Sequence, residues 1–277
     1  MWVDYLKTWV LLLTLTFFVL IFFFALAGAP GLTIALLIMV ALDITAFFYS
    51  DKLILKIFKA RKSSYSEKPE LHELIRELST RAKIKTPQVY IIPSNSPNAF
   101  ATGRPRKPYL AITNGLLSEL EDQELRGALA HEIAHLSSKD ILLTTVSSFL
   151  AAMVLYLTNI SRPFNIFFKN KETNIIETTV FSILAPISAT LINLTIPRMR
   201  EFSADKKGAE MIKDPKIIGE ALIKIHSTNR KIEFGNPALA NLFITNPYRS
   251  SILINLMSTH PTLQSRLKRL RKMAFSQ

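Results

Sequence analysis

His131 and His135 stand four positions apart in the stretch HEIAHL, and Glu132 directly follows the first of them. On a helix, residues at that spacing share one face, with Cβ atoms about 5–6 Å apart. Two imidazoles placed so can share one metal ion, and zinc takes neutral imidazole nitrogens readily. With three protein ligands, the fourth zinc position is left to water, whose pKa falls to about 7. Glu132 is rotated one residue away from the ligand pair, so its carboxylate can approach that water without occupying the metal. The chain has five histidines and 21 acidic residues among 277 positions. Chance placement yields this pattern in about one such chain in a hundred or fewer. The chemistry implied is metal-assisted hydrolysis.

A third ligand must come from elsewhere, and His72, His226, His260 and the carboxylates are the candidates. The stretch REFSADKKGAE places Glu201 and Asp205 four apart at the start of an expected helix. Glu201 can complete a His-His-Glu set, while Asp205 can accept the free N–H of a ligand histidine and fix its tautomer. The same spacing also fits a solvated acidic face balanced by Arg198 and Arg200, and spacing alone does not choose between the two. Because the chain has no cysteine, disulfides, thiolate nucleophiles and Cys-bearing zinc sites are excluded.

The elements that must carry these residues begin in a membrane. Hydrophobic residues make up 49% of the chain, high for a soluble domain. Residues 9–28 hold no charge and suffice to cross a hydrocarbon layer of about 30 Å as a helix. The GAPG of residues 28–31 turns the chain into a second apolar stretch, about 32–49, whose one charge is Asp43, read as facing a partner helix or lying near the helix end. Lys52, Lys56, Lys59, Arg61 and Lys62 follow, and the positive-inside rule puts what comes next in the cytoplasm. Two more apolar stretches, about 141–160 and 175–196, come after the histidine pair. They contain Glu177, Pro186 and Asn193, and their connecting loop is mildly basic, so a re-entrant or surface hairpin fits them as well as a spanning pair. The net charge of +13 sits beside apolar runs or on the last helix, where anionic headgroups account for it better than nucleic acid does.

Between these stretches the pattern is that of a soluble fold, mainly α with a small β-sheet. PELHELIRELSTRAK has helical spacing, with His72 on its wet side; QVYII, AFAT and YLAIT read as strands, the last two joined by a turn. Ser118 and Glu121 have the spacing of a capping box for the helix that carries the histidines. Asp214-Pro215 opens a later helix, and Leu263, Leu267 and Leu270 line one side of the last. The chain thus divides into a hairpin (1–50), a first catalytic part (51–140), a second hairpin (141–197) and a second catalytic part (198–277).

Several dispersed motifs come in one order: SDKLILKIFKAR, NAFATG, HEIAHLSSKD, REFSAD, NPALANLF and STHPTLQSRLKRL. In this the sequence resembles the HtpX-type membrane zinc metallopeptidases, relatives of the CAAX prenyl endopeptidases and of other gluzincin-like proteases. The resemblance implies a multi-pass protein of the cell membrane with a cytoplasmic zincin-like domain. It implies one zinc ion held by His131, His135 and Glu201, with Glu132 as catalytic base and Asp205 behind the ligands. His260 and Arg266, six apart, would return to the active site to stabilise an oxyanion or hold substrate. Asn98, Ala99, Phe100 and Ala101 would form an exposed edge on which an extended peptide is laid. The substrates implied are unfolded or misassembled membrane proteins in quality control. Processing of a specific C-terminus and a non-proteolytic zinc scaffold are the rival readings, and the intact Glu132 speaks against the scaffold. Asn241 stands where the family commonly has histidine, with no bearing on the assigned chemistry.

Overall fold

The computed structural model of the chain describes residues 2–138, 141–153, 198–228, 232, 234–246 and 261–274. His260, the fourth apolar stretch and the end of the third lie outside the described residues.

Two helices open the chain, α1 (Trp2–Phe24) and α2 (Ala27–Ile57), both long and apolar enough to cross a membrane. The break between them falls at Gly28, whose φ of 59° and ψ of −145° suit a residue without a Cβ. The two helices fold back on each other. Thr16 Oγ1 donates to Asp43 Oδ2 at 2.8 Å, and the Trp9 ring stacks on Phe47 with centroids 4.7 Å apart. Asp43 therefore does face a partner helix. Both helices outrun the apolar stretches that predict them, and α2 carries Lys52 and Lys56 in its last turns, where cations complement the helix dipole.

A four-stranded mixed sheet follows, made of β1 (Arg61–Lys62), β2 (Gln88–Ile92), β3 (Ala99–Arg104) and β4 (Lys107–Thr113) in the order β1-β2-β4-β3. β2 runs parallel to β4 with Val89 beside Leu110, and β3 runs antiparallel to β4 with Phe100 beside Ala111. Period-two alternation gives the sheet two buried faces. Ala99, Ala101, Leu110 and Ile112 join one core with α3 (Pro69–Arg81), α5 (Asp122–Leu136), α8 (Pro215–Ser227) and α9 (Leu263–Ala274). Phe100, Tyr109 and Ala111 join the other, with α1, α2 and α6 (Ile141–Met153). One sheet thus couples the membrane hairpin to the soluble helices. Arg104 fastens the end of β3 to α2, donating to the carbonyls of Phe47 and Phe48 at 2.9 Å each, with Asp51 at 3.8 Å.

The capping box forms three residues later than its sequence placement. Leu120 leaves helical geometry (φ −93°, ψ 136°), which separates the short α4 (Asn114–Glu119) from α5. Ser118 instead turns its hydroxyl back to Gly115 O, and the box is made by Glu121 and Glu124, with Glu121 N donating to Glu124 Oε2 at 2.8 Å. α7 (Arg198–Ile212) precedes α8, whose start is capped by Asp214 and carries Pro215. A 3-10 turn, Pro237–Leu242, leads back to the sheet.

Phe58 is fully buried, with its ring 5.5 Å from Phe100 and 4.9 Å from Phe243. Phe58→Ala is expected to cost about 3–5 kcal/mol. Thermal unfolding of the detergent-solubilised protein checks this, and an unchanged midpoint would show that the aromatic cluster does not join the two parts.

Candidate metal centre

α5 brings His131, Glu132 and His135 into the interior, 1%, 1% and 8% exposed. α7 packs across it and presents Glu201, Asp205 and Gly208, which at spacings of four and three lie along one helix face. The approach is close. A Cβ built on Gly208 would stand 3.2 Å from the His131 backbone nitrogen and 3.0 Å from Ile218 Cδ1. A larger residue there would hold the two helices apart.

That approach brings three donor groups together. His131 Nε2 and His135 Nε2 are 3.1 Å apart, His131 Nε2 is 3.5 Å from Glu201 Oε2, and His135 Nε2 is 3.3 Å from Glu201 Oε1. Metal–ligand distances of about 2.0–2.1 Å in tetrahedral geometry set donors about 3.3–3.4 Å apart. The donor types and their spacing therefore fit a zinc ion. Two imidazoles and one carboxylate also form the one such cluster among the described residues.

Behind the donors, Asp205 Oδ1 lies 3.0 Å from His131 Nδ1, so that nitrogen donates and Nε2 is the one turned toward His135 and Glu201. Arg266 in turn clamps Asp205 with two bonds, Nε to Oδ2 at 2.8 Å and Nη2 to Oδ1 at 2.6 Å. Its Nη2 also touches His131 Nδ1 at 3.2 Å, and the residue is only 2% exposed. α9 inserts Arg266 where a buried carboxylate needs a cation, and the guanidinium also borders the donor set, with Nη2 3.3 Å from His131 Nε2 and Nη1 3.8 Å from Glu201 Oε2.

The same network sets the ionisation of the site before any cation enters. Burial raises Asp205, but the Arg266 charge and hydrogen bonds outweigh it and hold the carboxyl down at about 2. Burial and Arg266 also lower His131, yet its bonds to Asp205 and Glu201 prevail and lift it to about 9. Burial dominates at His135, which falls to about 4, and at Glu132, which is pushed up to about 8.

Glu132 takes the backbone N–H of Ala101, and its Oε2 has no hydrogen-bond partner among the described residues. With His135, Glu201, Thr144, Arg200 and Phe243 it lines a space of about 10 Å³, room for one water.

The stretch Asn98–Ala101 does lie at the sheet edge, as the start of β3, but it is not exposed; Asn98 and Ala101 are 1% and 5% accessible. The chain's own segment covers it. Ile244 N donates to Ala99 O at 3.3 Å, Phe243 forms a bridge with Phe100, and Asn98 Nδ2 donates to Thr245 O at 2.7 Å. Farther along, Gly103 N donates to Thr145 Oγ1 at 3.1 Å. An unpaired edge carries unsatisfied polar groups, and these contacts satisfy them.

Sequence reasoning missed Gly208 and the contact of Arg200 with Thr144 on α6. Gly208 left a usable trace: a glycine inside a helix, three residues after Asp205, has no local justification. Gly208→Val should push α7 off α5 and lower the bound metal per purified chain at least several-fold; metal analysis giving full occupancy would refute this account of the close approach.

Comparison with known proteins covers nearly the whole chain. The sequence pattern of Peptidase family M48 matches residues 65–274, a span that includes both α5 and α7. A protease HtpX homolog of Burkholderia mallei (strain SAVP1) is 38% identical over 281 residues, 98% of this chain and 97% of the relative. The protease HtpX homolog of Paraburkholderia phytofirmans is 37% identical over 277 residues, with the same coverage. Among solved structures, S. mikatae Ste24p superposes with a TM-score of 0.53 at 20% identity, over 98% of this chain and 67% of that one, which supports the fold. A buried donor set beside a glutamate with one free oxygen among the described residues is what a hydrolytic metal site requires, and the family match and the relatives agree with it: the chain belongs to peptidase family M48 and is a membrane metallopeptidase.

Proposed function

We propose that the protein is a zinc endopeptidase that cuts extended stretches of unfolded or misassembled membrane proteins from the cytoplasmic side. The observation that carries this is the set of two imidazoles and one carboxylate whose closest atoms are 3.1–3.5 Å apart, with Glu132 beside them. Zinc bound there supplies a Lewis acid for the scissile carbonyl and for water. Its ligands are His131, His135 and Glu201. Asp205, held by Arg266, keeps His131 in the tautomer that offers Nε2.

Glu132 moves the proton. Its free Oε2 accepts one from the attacking water and returns it to the nitrogen of the departing amine, leaving a carboxylic acid and a free amine. His260 is proposed as a donor to the oxygen of the tetrahedral state.

Orientation rests on the cations from Lys52 to Lys62, in the last turns of α2 and just after it. Two further passes within 141–196 would complete a four-helix membrane part. A quality-control role follows from the demand for an extended chain, which folded proteins do not present. The substrate would pair with the β3 edge at Ala99 and Asn98, displacing the segment Phe243–Thr245.

Glu132→Gln is expected to retain one zinc per chain and to lose at least about a thousandfold in cleavage of casein, whereas Glu201→Ala loses the metal itself. Retained turnover by a clean Glu132→Gln preparation would exclude the mechanism. The displacement has its own test. Ile244→Pro deletes the N–H that holds the segment to Ala99 and should speed cleavage of a short fluorogenic peptide several-fold; an unchanged rate would mean that the peptide lies elsewhere.

A further inference from the structure

The N-terminal helix reaches the catalytic scaffold through one carboxylate. Asp4, in the first turn of α1, is fully buried. Its Oδ2 accepts the backbone N–H of Leu142 at 3.0 Å, and its Oδ1 accepts that of Leu143 at 3.1 Å. Both N–H groups belong to the first described turn of α6. A side chain 138 residues away in sequence therefore holds this turn by two backbone groups at once, and its negative charge suits the N-terminal half of the helix dipole. Thr8 Oγ1 donates to the Asp4 carbonyl at 2.8 Å, which ties the two residues together one turn apart.

What α6 does next gives this hold its reach. Thr144 follows the two held residues directly, and its hydroxyl receives Arg200 Nη1, the neighbour of the ligand Glu201. Thr144 and Arg200 both line the space around Glu132 and His135. Thr145 bonds both the N–H and the C=O of Gly103, at 3.1 and 3.3 Å, and touches Thr102 Oγ1 at 3.2 Å. The first turn of α6 thus grips the third-ligand helix with one residue and the edge strand with the next. Burying a carboxylate is costly unless its bonds are all well made, so sliding α6 along its axis would break both bonds to Asp4 at once.

We infer that Asp4 is a positioning residue for the peptidase reaction: from the membrane hairpin it fixes the first turn of α6, and through Thr144 and Thr145 it sets Arg200 beside Glu201 and the β3 edge beside Glu132. It touches neither metal nor substrate. The hairpin is then part of the catalytic scaffold as well as an anchor. The inference rests on the zinc-peptidase reading, and wild type provides the separate check on that reading.

The experiment uses the full-length protein in detergent, with zinc content, kcat and KM measured on fluorescein-labelled casein for wild type, Asp4→Ala, Asp4→Asn, Thr145→Val and the Asp4→Asn/Thr145→Val double variant. An inactive wild type carrying zinc would defeat the proposed function. Given an active wild type, Asp4→Ala should keep its zinc and a KM within about twofold while kcat falls about tenfold, and Asp4→Asn, which keeps one acceptor oxygen, should recover part of the loss. The double variant should lose less than the product of the single losses, because both changes act on the same turn. Thr16→Val, which loosens the hairpin elsewhere, should leave kcat unchanged. A wild-type kcat in Asp4→Ala, zinc and activity lost in parallel, or multiplicative losses in the double variant would each overturn the inference. If Asp4→Ala cannot be recovered folded, the Asp4→Asn and Thr145→Val cycle decides alone.

Discussion

The fold turns on the contact between α5 and α7. Three donor atoms from two helices 66 positions apart in sequence, His135 to Glu201, must meet within a few ångströms in a buried place. Two features make that possible. Gly208 removes the side chain that would otherwise wedge the helices, and Arg266 from α9 neutralises the acid that approach buries. Without the arginine, Asp205 would keep only its bond to His131, and a buried carboxylate so poorly paired costs several kcal/mol. Three helices therefore close on one carboxylate, and the histidine it orients is the first of the three donor groups.

The sheet extends this constraint toward the membrane. Its two faces serve different masters: Leu110 and Ile112 pack under the catalytic helices, while Phe100 and Ala111 pack on the hairpin side. β3 meets Glu132 along its outer edge and is tied to α6 by Thr145. A displacement on either face is therefore felt at the edge between them, because close-packed interiors transmit strain rather than absorb it.

How much of this the sequence disclosed depended on range. His131, Glu132 and His135 were legible because a helix fixes their relation locally, and Glu201 with Asp205 was legible as a second pair at the same spacing. That the two pairs meet was not written in either one. The side of the ligands that Arg266 takes depends on how α9 packs against α7 and α8, which no local pattern encodes. The edge at Asn98 was found, but its cover by Phe243–Thr245 joins residues 147 apart, Asn98 and Thr245, and is invisible to periodicity. β1, two residues long, is too short to show alternation, and its pairing with β2 exists because β2 offers a partner. The capping box was misplaced for a smaller reason: two overlapping S/E-x-x-E patterns compete, and the extended geometry at Leu120 selects the second.

Arg104 has one more implication. By binding the carbonyls of Phe47 and Phe48 in α2, it bolts the tip of the β3–β4 ribbon to a helix long and apolar enough to cross a membrane. The cleft beside β3 then stands at a set distance from that helix, like a blade on a fixed stand. On the proposed reading, reach becomes a selection rule in its own right: a chain leaving the same membrane would be cut only where enough of it has been let out to climb to that height.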